Sequence, residues 1–371
     1  GLYMLLSREE LQKMSPLEAE YVYAYIYELY HKKVTEKTTN YENLNACVNC
    51  CPRCGSTHVI KWGFNHGKKT LKQRYLCKCC KKTFVPAAGT IFGYSNTSYH
   101  EWIDFIACEI NGLTLNEEVI SISKSKTTCF NMRHKLYDAL SDIQEDVVLS
   151  GEIELDPTYE KINLKGTRPE NMPRISKVRG KSQKSSMRSE KNLRGISHHK
   201  VCLISAIDSK DHILFKIAGL GPENKLKLDP YKSYFKPGST LICDGKPCLR
   251  QFANENEMTA EVIPSTGFKS ATGKTLADIN QVHQLLSILN KKKHGVSTRH
   301  LPGYLNWLVF CKQLKYRIDG KRRKIESYLQ AMKKQITVTT KNVCKVSMPI
   351  DLKQAYEEYH YGIFNNHQLI S

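Results

Sequence analysis

The chain lacks any apolar run of about 18 residues, the length that a membrane-spanning helix requires. We therefore predict no membrane-spanning helix. We also expect no signal peptide, because the apolar residues after Met4 give way to charge at Arg8. Acidic residues are scarce relative to basic ones, 36 against 56, which leaves a formal net charge of +20. Such a charge points to a polyanionic partner. Without a membrane span, we expect that partner to be nucleic acid and the protein to be cytoplasmic.

Patterns that suggest disulfides are also sparse among the 14 cysteines. Many of the cysteines stand singly in apolar surroundings, which is typical of a protein in a reducing compartment. These single cysteines include Cys108, Cys129, Cys202, Cys243 and Cys311.

Four cysteines form the exception, in the pairs Cys51-Pro-Arg-Cys54 and Cys77-Lys-Cys-Cys80, with 22 residues between them. Two such pairs at this spacing are typical of a zinc ribbon, in which four thiolates bind Zn²⁺ tetrahedrally. We therefore predict Cys51, Cys54, Cys77 and Cys80 as structural zinc ligands, with strands at 74–76 and 83–85. Cys47 and Cys50 form a further pair that could supply alternative ligands.

A length of 371 residues allows two or three domains, and the changes in pattern along the chain predict where they lie. The predicted segments are an N-terminal helical segment (1–46), the zinc ribbon (47–90), a helix-turn-helix domain (91–148), an α/β catalytic domain (149–310) and a C-terminal helical extension (311–371).

The helix-turn-helix is predicted from three short amphipathic helices at about 98–111, 115–121 and 126–140, the third preceded by a serine cap. The third helix is rich in side chains that reach base edges and phosphates in DNA complexes. We expect DNA contacts from Lys126, Arg133, His134 and Lys135. The alternative is an ordinary helical linker with a basic, solvated face.

A basic insertion is predicted at 161–200, within the α/β domain. It contains 12 basic residues against two acidic ones and little apolar content, so it cannot bury a core by itself. The charge favours a DNA-binding arm, and a solvated charged loop is the alternative. The contacts that we expect from the arm are Lys177, Arg179, Lys181 and Lys184.

From residue 151 the pattern changes to strands, predicted at 151–156, 199–208, 212–217, 239–244 and 258–264, with a closing helix at 276–292. The element order fits an RNase H-like α/β fold. Asp156 and Asp244 end the first and fourth of these strands, and such a carboxylate pair can hold the Mg²⁺ or Mn²⁺ ions used in phosphoryl transfer.

The closing helix contains no glutamate to act as a third ligand and offers His283, with Asp278 as the alternative. Asp208 also ends a strand, but its neighbours are those of a hairpin turn.

These ordered motifs resemble those of bacterial insertion-sequence DDE-type transposases with an N-terminal zinc ribbon, which are relatives of the eukaryotic Merlin elements. The resemblance covers residues from about 48 to 310. The motifs that carry it include Cys51-Pro-Arg-Cys54-Gly55-Ser56, Gln73-Arg74-Tyr75-Leu76-Cys77, Met132-Arg133-His134-Lys135-Leu136, Glu154-Leu155-Asp156-Pro157-Thr158-Tyr159, Cys243-Asp244-Gly245, Ile279-Asn280-Gln281-Val282-His283 and Tyr304-Leu305-Asn306-Trp307.

The resemblance implies an enzyme that binds the terminal inverted repeats of its element, cleaves the 3′ ends and joins them to target DNA. It implies Asp156, Asp244 and His283 as the catalytic set with Mg²⁺ or Mn²⁺, Lys291 as a contact to the element end, a homodimer or larger assembly, and a location at the bacterial nucleoid. Pro157 departs from the family, which commonly has an acidic residue there. The alternatives are a catalytically inactive, domesticated DNA-binding protein and a structure-specific nuclease.

Overall fold

The computed structural model describes residues 50–66, 71–85, 88, 91–92, 97, 99–166, 200–317, 343 and 346–351. The predicted N-terminal helical segment, the middle of the basic insertion and most of the C-terminal extension lie outside these residues. The chain divides into two compact units, 1–102 and 103–371. Among the described helices there is none that is both long and apolar enough to span a membrane.

The described part of the first unit contains an antiparallel sheet of three strands, β1 (Val59–His66), β2 (Leu71–Cys77) and β3 (Thr83–Phe84). Tyr75 and Phe84 lie opposite each other in the β2–β3 register, and their rings stack with centroids 5.9 Å apart. Both rings are buried beside the cysteines, so a small core forms around the thiols. The strands predicted at 74–76 and 83–85 are confirmed.

Three helices follow, α1 (Tyr99–Ile110), α2 (Leu115–Ile122) and α3 (Lys126–Asp138), as predicted. Thr114 and Glu117 form a reciprocal capping box at the start of α2, and Ser125 caps α3 by accepting a hydrogen bond from the Thr128 N–H. Such caps satisfy backbone N–H groups that a helix leaves without intrahelical partners. The helix boundaries are therefore set by local sequence.

The second unit contains a mixed six-stranded sheet. Strand β6 pairs antiparallel with β7 on one side and with β4 and β5 on the other, while β4, β8 and β9 are parallel neighbours. The strands are β4 (Glu152–Leu155), β5 (Thr158–Lys161), β6 (Lys200–Asp208), β7 (Ile213–Leu220), β8 (Thr240–Asp244) and β9 (Thr259–Ile263).

Strand β5 was not predicted. Strands β4 and β5 pair with the same strand and are separated by Asp156 and Pro157. Proline has no backbone N–H to donate to a ladder, so the first strand is interrupted at this point. Asp156, just before the interruption, still donates its backbone N–H to Ser205 O at 3.1 Å.

The helices that follow the first strands of the sheet complete the predicted order of strands and helices. They are α4 (Lys225–Leu228), α5 (Pro247–Glu255), α6 (Ala277–Lys292) and α7 (Leu301–Arg317), with short 3₁₀ helices at Asp229–Tyr234 and Thr298–His300. The buried core between sheet and helices includes Leu155, Ile204, Leu241 and Phe252. Helix α7 continues past the domain boundary predicted at residue 310.

Candidate active site and metal centre

The parallel pairing of β4 with β8 brings the two predicted aspartates side by side at the C-terminal ends of these strands. Leu155 lies opposite Cys243 in the register, so Asp156 and Asp244 are the next residues on neighbouring strands. Burial, and then the negative charge of Asp244, raise the pKa of Asp156 to about 6. The two neighbouring carboxylates concentrate negative charge at this point, which favours a bound cation.

His283 is placed against Asp156 by the way α6 docks onto β4. The N-cap residue Leu276 has no side chain that could cap α6, but the Glu154 carboxylate of β4 accepts a hydrogen bond from the Ile279 N–H at 2.8 Å. One turn further along, the His283 Nδ1 lies 3.7 Å from Asp156 Oδ2. The structure therefore places His283, the third residue of the predicted catalytic set, next to Asp156.

Ser205 of β6 orients the imidazole. Its hydroxyl donates a hydrogen bond to the Asp156 carbonyl oxygen, and its Oγ lies 2.7 Å from His283 Nε2. A hydroxyl has one hydrogen to donate, so Ser205 accepts from Nε2–H. Burial lowers the pKa of His283, which favours the neutral ring. With the proton on Nε2, the Nδ1 lone pair faces the Asp156 carboxylate.

This donor set suits a divalent cation. A lone pair that faces a carboxylate is repelled unless a positive charge lies between them, and carboxylate oxygens with a neutral imidazole nitrogen are accepted ligands for Mn²⁺ and Mg²⁺. The Asp156, Asp244 and His283 donors are not drawn together as closely as a tight ligand shell. Within the described ranges, sets of three or more ligand atoms lying within 4.8 Å of one another are confined to the four cysteines.

Two charged residues that the sequence reasoning missed adjoin the aspartates. The Lys246 ammonium lies 3.1 Å from Asp244 Oδ2 and 2.5 Å from Glu223 Oε1. Glu223 follows β7 in a loop that starts Gly221-Pro222, where no periodic pattern singles it out. Lys246 could have been noticed, since it stands two residues after a predicted catalytic aspartate.

Asp208 has the structural role that the hairpin neighbours predicted. Its buried carboxylate accepts hydrogen bonds from the backbone N–H groups of Ser150, Lys210 and His212. It also pairs with the His212 ring at 2.9 Å. Asp278, the alternative third ligand, is exposed at the start of α6.

The four predicted cysteine ligands come together in the first unit. Cys51 Sγ lies 3.7 Å from Cys80 Sγ, and Cys54 Sγ lies 3.6 Å from Cys77 Sγ. Gly55 takes a positive φ of +70°, and its N–H donates to Cys51 O at 2.9 Å, closing the first knuckle. A backbone hydrogen bond from Cys80 lowers the pKa of Cys77 to about 6. Four thiols in this arrangement could hold a metal ion.

The prediction that Arg133, His134 and Lys135 contact DNA is contradicted by their burial. Each is less than 5% exposed. The His134 ring lies against the His300 ring, tilted by 34°, with centroids 3.9 Å apart. Burial lowers the pKa of His134 to about 3, so it carries no charge for a phosphate. Lys126, at the start of α3, is exposed.

Arg133 is instead the centre of a buried charge cluster. Its guanidinium pairs with Glu109 of α1 and Glu118 of α2, and the ammonium of Lys293, just past α6, lies 3.5 Å from Glu109 and 3.7 Å from Glu118. Burial and the Glu109 charge raise the pKa of Glu118. The cluster therefore ties α1, α2 and α3 to the end of the helix that carries His283.

The remaining predicted DNA contacts are not tested by the structure. Lys291 is exposed near the end of α6, as a surface contact requires. Lys177, Arg179, Lys181 and Lys184 lie outside the described residues.

No family model matches the chain. Over 117 residues it is 30% identical to an uncharacterized protein in transposable element ISH50 of Halobacterium salinarum, a match that covers 31% of this chain and 38% of that protein. The chain thus matches well under half the length of this relative. A solved pre-cleavage Mos1 transpososome aligns with 64% of this chain and 78% of its own at 9% identity, but the TM-score of 0.24 establishes no common fold. In sequence, the chain is related to a protein of a transposable element.

Proposed function

We propose that the chain is a DNA transposase that binds the terminal inverted repeats of an insertion sequence and performs metal-dependent 3′-end cleavage and strand transfer. The observation that carries the proposal is the placement of Asp156 and Asp244 on neighbouring parallel strands, with His283 against Asp156. The sequence relationship to a transposable-element protein supports it.

Asp156, Asp244 and His283 would hold Mg²⁺ or Mn²⁺. A bound ion lowers the pKa of an attacking hydroxyl and stabilises the departing oxygen in such transfers. The protein's own contribution is positional. Ser205 fixes the imidazole through Nε2, and Glu154 fixes the start of its helix, so the third ligand is oriented before the substrate arrives.

The order β7-β6-β4-β8-β9, with three antiparallel strands followed by two parallel ones, supports an RNase H-like catalytic domain. DNA would be held by the ribbon, the exposed Lys126 and Lys291, and the arm that contains Lys177, Arg179, Lys181 and Lys184. Arg133, His134 and Lys135 are withdrawn from this set because they are buried. Pairing two element ends calls for a dimer or larger assembly, acting at the nucleoid.

The proposal is tested by incubating the purified full chain with a labelled duplex that carries the terminus of the element encoding it. In Mg²⁺ or Mn²⁺ we expect cleavage at the 3′ end and joining to a second duplex. A duplex with a scrambled terminus is the matched control, and EDTA should stop the reaction. Equal cutting of both duplexes would indicate a structure-specific nuclease. End-specific binding without cutting in either metal would indicate an inactive DNA-binding protein.

We further propose that the four thiols of the first unit bind Zn²⁺. A Cys77→Ser variant should lose the ion and unfold the ribbon, because a structural zinc site supplies much of the folding energy of so small a module. The measurement is the zinc content per chain by atomic absorption. Cys79→Ser is the matched control, since Cys79 is exposed, adjacent in sequence and outside the cluster, and it should retain the zinc of the unmodified chain. Full zinc content in Cys77→Ser would contradict the ligand set.

A further inference from the structure

The Lys246 ammonium lies between two acidic side chains at the edge of the candidate active site. It is 2.5 Å from Glu223 Oε1 and 3.1 Å from Asp244 Oδ2, and 6.0 Å from the centre of the Tyr159 ring. An ammonium next to a carboxylate oxygen occupies a position that a metal ion bound to that oxygen would need. The side chain is partly exposed, whereas that of Glu223 is almost fully buried.

Glu223 has little else to balance its charge. Both of its carboxylate oxygens are buried, and among the described residues the Lys246 ammonium is the one donor recorded against them. A buried carboxylate without compensation is strongly unfavourable, and the ion pair with Lys246 supplies that compensation. After burial and Asp244, the nearby charges also affect the pKa of Asp156: Lys246 lowers it and Glu223 raises it. The charges of four side chains therefore influence one another: Lys246, Glu223, Asp244 and Asp156.

We propose that Lys246 is an internal counter-cation of the active site, which neutralises Asp244 while no divalent ion is bound and leaves Asp244 when the ion binds. Glu223 is its anchor: it keeps the ammonium paired in both positions. The inference rests on the proposed function, since it takes Asp244 as a metal ligand.

The chemistry of the two side chains suits this exchange. A lysine carries a compact charge on a flexible four-carbon stem, so the ammonium can leave Asp244 by rotation about that stem. Like charges a few ångströms apart repel strongly where water is partly excluded, so the ammonium and a divalent ion compete for Asp244. Because Glu223 holds the ammonium from the other side, it weakens the hold of Lys246 on Asp244.

The test measures Mn²⁺ binding to the zinc-loaded, DNA-free full chain by the loss of the free-ion electron paramagnetic resonance signal. Lys246→Met should bind Mn²⁺ about tenfold more tightly, because the competing charge is gone. Glu223→Gln should bind roughly threefold more weakly, because the ammonium then has Asp244 as its remaining acidic partner. The double variant should match Lys246→Met, since Glu223 acts through the lysine.

Unchanged or weaker binding in Lys246→Met would overturn the proposal. Weaker binding in the double variant than in Lys246→Met would also overturn it, because Glu223 would then act on the metal ion directly and not through the lysine. Thermal unfolding of each variant shows whether it is folded. Asp244→Asn separates this inference from the proposed function. If that variant binds Mn²⁺ like the unmodified chain, the metal site itself is wrong, whereas a loss there with no effect of Lys246→Met refutes the counter-cation alone.

Discussion

Asp244→Asn is expected to lower 3′-end cleavage and strand transfer by at least about 1,000-fold. The substitution removes a charged donor at the point where β4 and β8 run side by side, and metal ions in such sites supply several kcal/mol of transition-state stabilisation, with each 1.4 kcal/mol worth about tenfold in rate. Asparagine has nearly the same shape, and Asp244 is not fully buried, so the fold should persist. Initial rates on the element terminus measure the effect.

The matched control is Asp278→Asn. Asp278 is an exposed carboxylate at the start of α6, and removing its charge should leave the rate within about twofold. A large loss in Asp278→Asn together with retained activity in Asp244→Asn would show that the site has been assigned to the wrong carboxylates.

Arg133→Met is expected to destabilise the second unit by about 3–5 kcal/mol, the range for removing one partner of a buried ion pair. Glu109 and Glu118 would then share the more distant Lys293 as their remaining cation in the described structure. For a domain of this size, the loss corresponds to a fall in melting temperature of roughly 10 °C. Differential scanning calorimetry of the full chain measures it.

Lys126→Met is the companion variant for Arg133→Met, because Lys126 is an exposed basic residue on the same helix. It should change the free energy of unfolding by less than about 0.5 kcal/mol. The two variants separate a structural arginine from a base-reading one. A stable Arg133→Met protein with weakened DNA binding would restore the prediction made from the sequence.

The sheet and its aspartates were predictable because their signals are local. Each strand is a short run of apolar or alternating residues, and Asp156 and Asp244 come at the ends of such runs. Their adjacency follows from the parallel pairing of β4 with β8, which the element order implied. Strand β5 was missed because Pro157 cuts the first strand into two short pieces.

The role of Arg133 could not be predicted from its own surroundings in the sequence. A basic residue on a polar helix face is ordinarily exposed, and its acidic partners lie 24 and 15 residues away. Lys293, the fourth member of the cluster, follows Arg133 by 160 residues in the chain (293 − 133). Glu223 was missed for a related reason, since only the folded chain brings its loop to Lys246.

That Asp156, Asp244 and His283 hold one ion together is tested most directly by iron-mediated cleavage of the zinc-loaded chain. Ferrous iron replaces Mg²⁺, and ascorbate with peroxide generates hydroxyl radicals that cut the backbone near the bound ion. Mass spectrometry should find cuts near all three residues, suppressed by excess Mn²⁺ and lost in Asp244→Asn. Cuts that are absent from these positions, or that persist unchanged in Asp244→Asn, would contradict the metal site on which the proposed reaction depends.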